Sequence, residues 1–402
     1  MNTAQDIQNI NTLLSPFGLQ VNDVVKGAQN VKYIINLPLD LSIQGKIRRA
    51  ETNIKYALPG ALGTNEFSFG HDKDSIYIER KSNEFQVVSF NDFRDGLHTS
   101  KLNLVLGKDE DGKKVITNLS KAPHILVGGT TGSGKSELLH SFVASLIEGM
   151  DYTDVELCII DPKRSEFSPY RNCPKIKLCT EMSDACECLK IGVEIMESRY
   201  ATLELSGAKD IYHYTGSEKM YPIVFIIDEL ADLMQQCPES EQYIVRIAQK
   251  ARACGIHLIL GTQSPRRDVV TGLIKSNVPT KIALHTSNQV ESRIILDQIG
   301  AENLLGKGDM FYMANGAFKP IRIQSAYVDE STKSSLAAKL KSIPSNPLPH
   351  YEVKEERVSY DHLLNHEESN NKPKKVGLIQ GMINLMKVKP IMFRTDDYPP
   401  RI

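Results

Sequence analysis

The sequence predicts an α/β protein built on a parallel central sheet and preceded by a smaller mixed α+β domain. Three observations carry that expectation. Five apolar runs alternate with helical patterns: 124–129 (HILVGG), 155–163 (VELCIIDPK), 221–229 (YPIVFIIDE), 256–263 (IHLILGTQ) and 280–286 (TKIALHT). Continuous apolar runs separated by helices are what a parallel sheet buried on both faces requires. Each run ends in polar residues, and in open α/β sheets ligands collect at the carboxyl ends of the strands. Finally, the first run opens into ILVGGTTGSGKSELLHSF (125–142), with four glycines and one lysine between a strand-like and a helix-like segment.

That stretch carries the clearest chemistry. Gly129, Gly134, Lys135 and Ser136 fill G-x-x-x-x-G-K-[ST] without a gap. Leu138, Leu139, Phe142, Val143 and Leu146 follow at helical spacing. Glycines, lacking Cβ, allow the backbone to turn successive N–H groups toward an anion. The helix start presents its unpaired N–H groups and positive dipole end to the same charge. Gly129, Thr130, Thr131, Gly132, Ser133, Gly134, Lys135, Ser136 and Glu137 are therefore expected to wrap the phosphates of a nucleoside triphosphate. Lys135 would reach the β- and γ-phosphates, and the Ser136 hydroxyl would hold Mg²⁺.

The other strand ends add candidates. Val224–Ile227 push out an acidic doublet, Asp228 and Glu229. The first carboxylate suits Mg²⁺, and the second can orient or deprotonate an attacking water. Both also suit the cap and first turn of a following helix. Gln263 ends the fourth run, where it can sense the γ-phosphate or close a strand-end hydrogen bond. Asp161 and Lys163, ending the second run, read equally as a salt bridge and are not assigned a catalytic role.

Composition bounds the rest. A chain of 402 residues holds two or three domains, and 41% hydrophobic with 24% charged residues is the balance of a soluble globular protein. The longest apolar run, Tyr221–Ile227, is far too short to cross a bilayer. The amino-terminal residues have no leader pattern, so a cytoplasmic protein without membrane insertion is expected. Seven cysteines lack paired metal spacing. Cys173, Cys179, Cys186 and Cys188 cluster in the sequence, yet without a C-x-x-C pair reduced structural thiols are expected. A net charge of −1 gives no global attraction to nucleic acid, so any such surface must be local.

Taken in order, GGTTGSGKS (128–136), DPKRSEFSPY (161–170), IIDELADLM (226–234), RIAQKARACGIHLILGTQSP (246–265), TGLIKSNVPTKIA (271–283) and SRIILDQIGAENLLGKGDMFY (292–312) resemble the FtsK-type (FtsK/SpoIIIE) DNA translocases of bacteria. The likeness runs from about Leu13 to Tyr327. It implies a RecA-like ATPase preceded by the family's α domain, hydrolysing ATP as a ring hexamer threaded by double-stranded DNA. Under the resemblance, Lys135 and Ser136 hold phosphate and Mg²⁺, and Asp228 and Glu229 serve metal and water. Arg252 matches the position acting on a neighbouring subunit's ATP, although on its own it reads as a solvated basic residue on a helix face. Arg266, Arg267 and Lys275 fall in the pore-facing region, where they would contact DNA phosphates without reading sequence. Ordinary surface charge is the alternative.

The expected domains are 1–105, an α-like domain, 106–330, the RecA-like ATPase, and 331–402, a polar tail. In the first, 31–38 and 75–81 alternate like strands and 43–58 reads as a helix. In the tail, 376–388 reads as a short amphipathic helix that packs on the core or docks a protein partner. Ser264 stands where the family usually has arginine, and neither membrane segments nor a winged-helix module is recognisable. An FtsK-like ATPase driving protein secretion or assembly is the alternative function. The α-like domain and the basic GLIKSN segment favour DNA.

Overall fold

The computed structural model describes residues 3–26, 30–37, 54–62, 67–71, 75–81, 87–98, 102–149, 155–217 and 219–342. The chain begins with α1 (Thr3–Leu14), β1 (Asp23–Lys26), β2 (Asn30–Asn36), α2 (54–62), β3 (Phe67–His71), β4 (Ser75–Lys81) and the short α3 (Arg94–Leu97). The four strands form an antiparallel sheet in the order β1-β2-β4-β3. The period-two pattern read in the sequence holds: Tyr33 and Ile35 of β2 and Ile76 and Ile78 of β4 are fully buried with Ile10, Leu14 and Leu58. Of the helix expected over 43–58, residues 54–58 are helical and 43–53 lie outside the described residues.

The second sheet has ten strands: β5 (Asn103–Asp109), β6 (Lys114–Asn118), β7 (His124–Gly128), β8 (Glu156–Ile160), β9 (Ile176–Cys179), β10 (Ile223–Ile227), β11 (Ile256–Thr262), β12 (Thr280–Leu284), β13 (Asp309–Met313) and β14 (Ile321–Ser325). Its order is β6-β5-β14-β13-β12-β7-β11-β10-β8-β9. From β12 to β9 every pairing is parallel, and the other four strands extend the sheet antiparallel. All five expected strands are present, and β7, β10 and β11 are buried along their whole length, hence their unbroken apolar runs. Helices α4 (Lys135–Gly149), α5 (Met182–Ser206), α6 (Leu230–Gln236), α7 (Ser240–Lys250), α8 (Gly272–Asn277), α9 (Gln289–Leu296) and α10 (Glu330–Lys341) complete the unit.

The boundary expected at residue 105 falls inside β5, which belongs to the large sheet. One compact unit runs to Leu340, so α10 extends it ten residues beyond the expected end at 330. Arg322 on β14 joins the two sheets: it grips Asp309 at 2.9 and 2.8 Å and reaches Glu79 of β4 at 2.5 Å. The expected helix at 376–388 lies outside the described residues. One cysteine expectation is corrected: Cys186 of α5 and Cys237 after α6 form a disulfide rather than standing reduced. A separation of 51 residues hides this pair from local spacing.

Burial keeps three imidazoles neutral. His124 and His257, at the starts of adjacent strands with ring centroids 6.5 Å apart, are lowered to about 3 and about 4, chiefly by loss of solvent. His140 on α4 is lowered to about 3 by the same cause, helped by the charge of Lys333. These values lie below the unfolded value of about 6.5, so the unfolded chain binds the extra protons. The stability is intact above about pH 6.5 and is lost as the pH falls toward the folded-state values. At pH 5.5 the three together should remove on the order of 4 kcal/mol. Tm is expected to drop steeply between pH 7 and 5.5. His140→Phe, which keeps the ring packed 4.7 Å from Phe167, should recover about a third of that loss. A Tm flat across this range would contradict the account.

Candidate nucleotide site

The carboxyl end of β7 runs into Gly129, and the chain then turns through Gly132 and Gly134, both at positive φ (77° and 102°). Space as well as angle demands glycine here. A Cβ on Gly134 would meet the Gly308 amide nitrogen at 2.4 Å, and one on Gly129 would meet Ser133 Oγ at 2.7 Å. Leu138 N–H donates to the Gly134 carbonyl at 3.0 Å, the first helical hydrogen bond of α4. The N–H groups of Lys135, Ser136 and Glu137 therefore have no acceptor within the helix and face the start of its dipole. The loop is braced from outside: Gly308 N–H donates to the Ser133 carbonyl at 2.7 Å, and Thr130 N–H to the His285 carbonyl at 2.9 Å.

β10 lies two strands from β7 and delivers its acidic pair to the same edge. Lys135 and Asp228 form a buried ion pair, with Lys135 Nζ also 2.5 Å from the Asp228 carbonyl oxygen. The second carboxylate oxygen of Asp228, Oδ2, is buried without a hydrogen-bond partner among the described residues, as is Ser133 Oγ. Glu229 occupies the N-cap of α6, but its bond from Ala231 N–H is long at 3.4 Å. Its shorter bonds run across the sheet: Thr262 Oγ1 donates to Oε1 at 2.8 Å and Gln263 N–H to Oε2 at 2.9 Å. The cap is therefore the longest of its three bonds, and the carboxylate is aimed by β11. The Gln263 side chain accepts from Thr131 Oγ1 at 2.9 Å, joining the end of β11 to the phosphate loop.

The residues fit a triphosphate with a divalent cation. The positive-φ glycine loop, unspent helix N–H groups and Lys135 suit the phosphates, while the orphaned Asp228 oxygen and the Ser136 hydroxyl suit the metal. Asp161 is different. It is fully buried and accepts from the N–H groups of Lys163, Arg164 and Phe167 at 3.1–3.2 Å, shaping a turn.

Three parts escape a reading of the sequence: Thr262 as the group that orients Glu229, Gly308 as the brace of the loop, and Lys333. Lys333 of α10 is buried and places Nζ 3.2 Å from Glu137 and 2.9 Å from Glu330. Glu137 directly follows Ser136 in the first turn of α4. An unneutralised carboxylate there would repel phosphate, by on the order of 1 kcal/mol in a solvent-exposed setting. Lys333→Met is expected to raise the KM for ATP about five- to tenfold with kcat unchanged, and Glu137→Gln in the same chain should restore it. An unmoved KM, or no rescue, would show Lys333 to be only structural.

The remaining candidates lie elsewhere. Arg252 sits in the turn after α7 rather than on its face, exposed, with Nε 3.2 Å from the Ser120 carbonyl. Ser120 precedes β7 and Arg252 precedes β11, so this arginine marks the amino-terminal edge of the sheet. The seven residues of β11 separate it from the phosphate loop by about 20 Å. Arg266 and Arg267 are exposed beyond β11, with Arg266 3.3 Å from Asp268. Lys275 on α8 is half-buried, held by Asp297 at 2.6 Å and by the Arg293 carbonyl at 3.0 Å.

The FtsK/SpoIIIE family model matches residues 94–267. The chain is 39% identical over 339 residues to the DNA translocase SftA of Bacillus subtilis, covering 81% of this chain and 33% of that protein. It is 37% identical over 387 residues to the DNA translocase FtsK of Caldanaerobacter subterraneus subsp. tengcongensis, covering 94% and 52%. The chain thus spans about a third to a half of the length of these relatives. Among solved structures, the pCW3 conjugation coupling protein TcpA, with ATPgS, superposes with a TM-score of 0.61 at 23% identity over 83% of this chain and 98% of that one. The type VII secretion ATPase EccC of Thermomonospora curvata gives 0.53 at 20% identity over 61% and 32%. At such identities these two carry the fold alone, that of RecA-like P-loop ATPases. Among the described residues no helix is long and apolar enough to cross a membrane. The chain thus carries an FtsK/SpoIIIE-type domain and is similar to the FtsK and SftA translocases.

Proposed function

We propose that this chain is an ATP-driven double-stranded DNA translocase that works as a ring hexamer in the cytoplasm. The observation that carries the reading is that the candidate catalytic residues stand at two opposite edges of the sheet. Phosphate loop, acidic pair and Gln263 share the carboxyl edge, while Arg252 stands about 20 Å away on the opposite edge. A ring resolves this, because each subunit can offer Arg252 to its neighbour's triphosphate. The named activities of the FtsK and SftA relatives support DNA as the substrate.

The mechanism follows from the side chains. When ATP enters, Lys135 exchanges its bond to Asp228 for the β- and γ-phosphates. Ser136 and Asp228 would hold Mg²⁺, which when bound supplies charge neutralisation at those phosphates. Glu229, fixed by Thr262 and the Gln263 amide, orients the attacking water and takes up its proton. Loss of the γ-phosphate is transmitted through the Thr131–Gln263 bond to β11 and onward to Arg266 and Arg267, which contact DNA phosphates. Lys275 joins them only by releasing Asp297. Phosphate contacts carry no sequence preference, as a motor moving along any DNA requires.

Steady-state ATP hydrolysis with long linear duplex DNA tests this reading. Stimulation that falls with rising salt is expected, since each phosphate contact releases a counterion. Hydrolysis indifferent to duplex would overturn DNA as the substrate and favour a polypeptide.

A further inference from the structure

A cluster of three sulfurs lies outside the nucleotide machinery. Cys158 is on β8, Cys179 ends β9 and Cys188 lies on α5. In the register of these parallel strands Ile160 is opposite Cys179. Alternate strand residues share a face, so Cys158, Ile160 and Cys179 point the same way. α5 covers that face and sets Cys188 against it. The Cys158–Cys179 and Cys179–Cys188 sulfur separations are 4.0 and 3.5 Å, and all three sulfurs lie within 4.8 Å of one another. All three residues are buried.

We propose that Cys158, Cys179 and Cys188 form a three-thiolate site for a thiophilic divalent d¹⁰ cation of the zinc type. A point equidistant from sulfurs so spaced lies about 2.2–2.4 Å from each, which is the length of a zinc–thiolate bond, about 2.3 Å. The triangle therefore accepts an ion without backbone movement. Three sulfurs with no oxygen donor select a soft cation over Mg²⁺ or Ca²⁺. Among the described residues, no histidine, acid or further cysteine completes the group, so the site is trigonal. As each metal–sulfur bond forms, the Sγ–H proton passes to solvent, and no electrons are exchanged. Three thiolates and a divalent ion leave one net negative charge, and Lys177 of β9, two residues before Cys179, lies on the same strand to offset it. Entry is through β9, the last strand of the sheet, because edge elements open at lower cost than the core. A bound ion would staple β8, β9 and α5 beside β10, the strand that carries Asp228 and Glu229.

The test is a titration of the full, metal-stripped and reduced chain with Cd²⁺, a spectroscopically visible stand-in for zinc. One equivalent is expected to bring up a thiolate-to-cadmium charge-transfer band in the ultraviolet and to raise Tm. Zn²⁺ should displace the band. Cys188→Ser and Cys158→Ser should each weaken binding at least tenfold, while Cys173→Ser, a buried cysteine outside the group, should not. Absence of the band from the wild-type chain overturns the site without reliance on any variant. A band that survives Cys188→Ser but disappears in Cys186→Ser also overturns it, by placing the ion on the reduced Cys186–Cys237 pair.

Discussion

Glu229→Gln is expected to bind ATP normally and to lose hydrolysis by a factor on the order of 10²–10⁴, the usual weight of a positioned general base. The substitution keeps the shape and hydrogen-bonding reach of the side chain, so the Thr262 and Gln263 contacts at 2.8 and 2.9 Å need not collapse. What is lost is the proton acceptor. Nucleotide affinity and Tm separate this outcome from misfolding: both should match the wild type while kcat falls. Thr262→Val should reproduce part of the defect, since it frees one oxygen of Glu229 and leaves the base in place. A Glu229→Gln chain that retained most of its kcat would reduce this residue to the N-cap of α6 and remove the hydrolytic mechanism.

Arg252→Ala carries the other large expected effect. An arginine acting on a neighbour's transferring phosphate contributes about 10³–10⁵ in rate, and this residue is about 20 Å from its own phosphate loop. Hydrolysis should therefore fall by that order with ATP affinity nearly intact. Mixing makes the prediction sharper. Arg252→Ala subunits keep Glu229, and Glu229→Gln subunits keep Arg252, so mixed rings contain some interfaces with both groups. Activity above that of either variant alone is expected. If neither variant complements the other, the assignment of Arg252 to a neighbouring site fails, and its bond to the Ser120 carbonyl becomes its whole role.

The legible parts of the molecule are those where one physical demand fixes several neighbouring residues. β7, β10 and β11 are buried on both faces and read as continuous apolar runs. The loop between β7 and α4 must be glycine at the turn and lysine at the helix start, and the structure pairs that lysine with Asp228. Edge strands meet weaker demands. β9 has four residues, three of them only half-buried, and β14 alternates between burial and exposure, so neither stands out locally. Long-range pairs leave no trace at all: Lys333 and Glu137 are 196 residues apart, and Cys158 joins Cys179 only because β8 and β9 are neighbours. Thr262 was within reach, since a hydroxyl beside Gln263 at the end of a buried strand faces whatever the adjacent strand presents. Arg252 reads as part of a helix face because the polar QKAR run carries no breaker before Gly255, yet α7 ends at Lys250 and leaves Arg252 in the turn that follows.

Movement along duplex DNA is the central claim, and displacement of a third strand measures it most directly. A triplex-forming oligonucleotide annealed to one end of a long linear duplex should be stripped off by the chain in the presence of ATP. It should remain bound with a non-hydrolysable analogue, with Lys135→Ala or with Glu229→Gln. ATP hydrolysis that leaves the third strand in place, at protein concentrations where duplex is fully bound, would contradict translocation and leave a DNA-binding ATPase that does not travel.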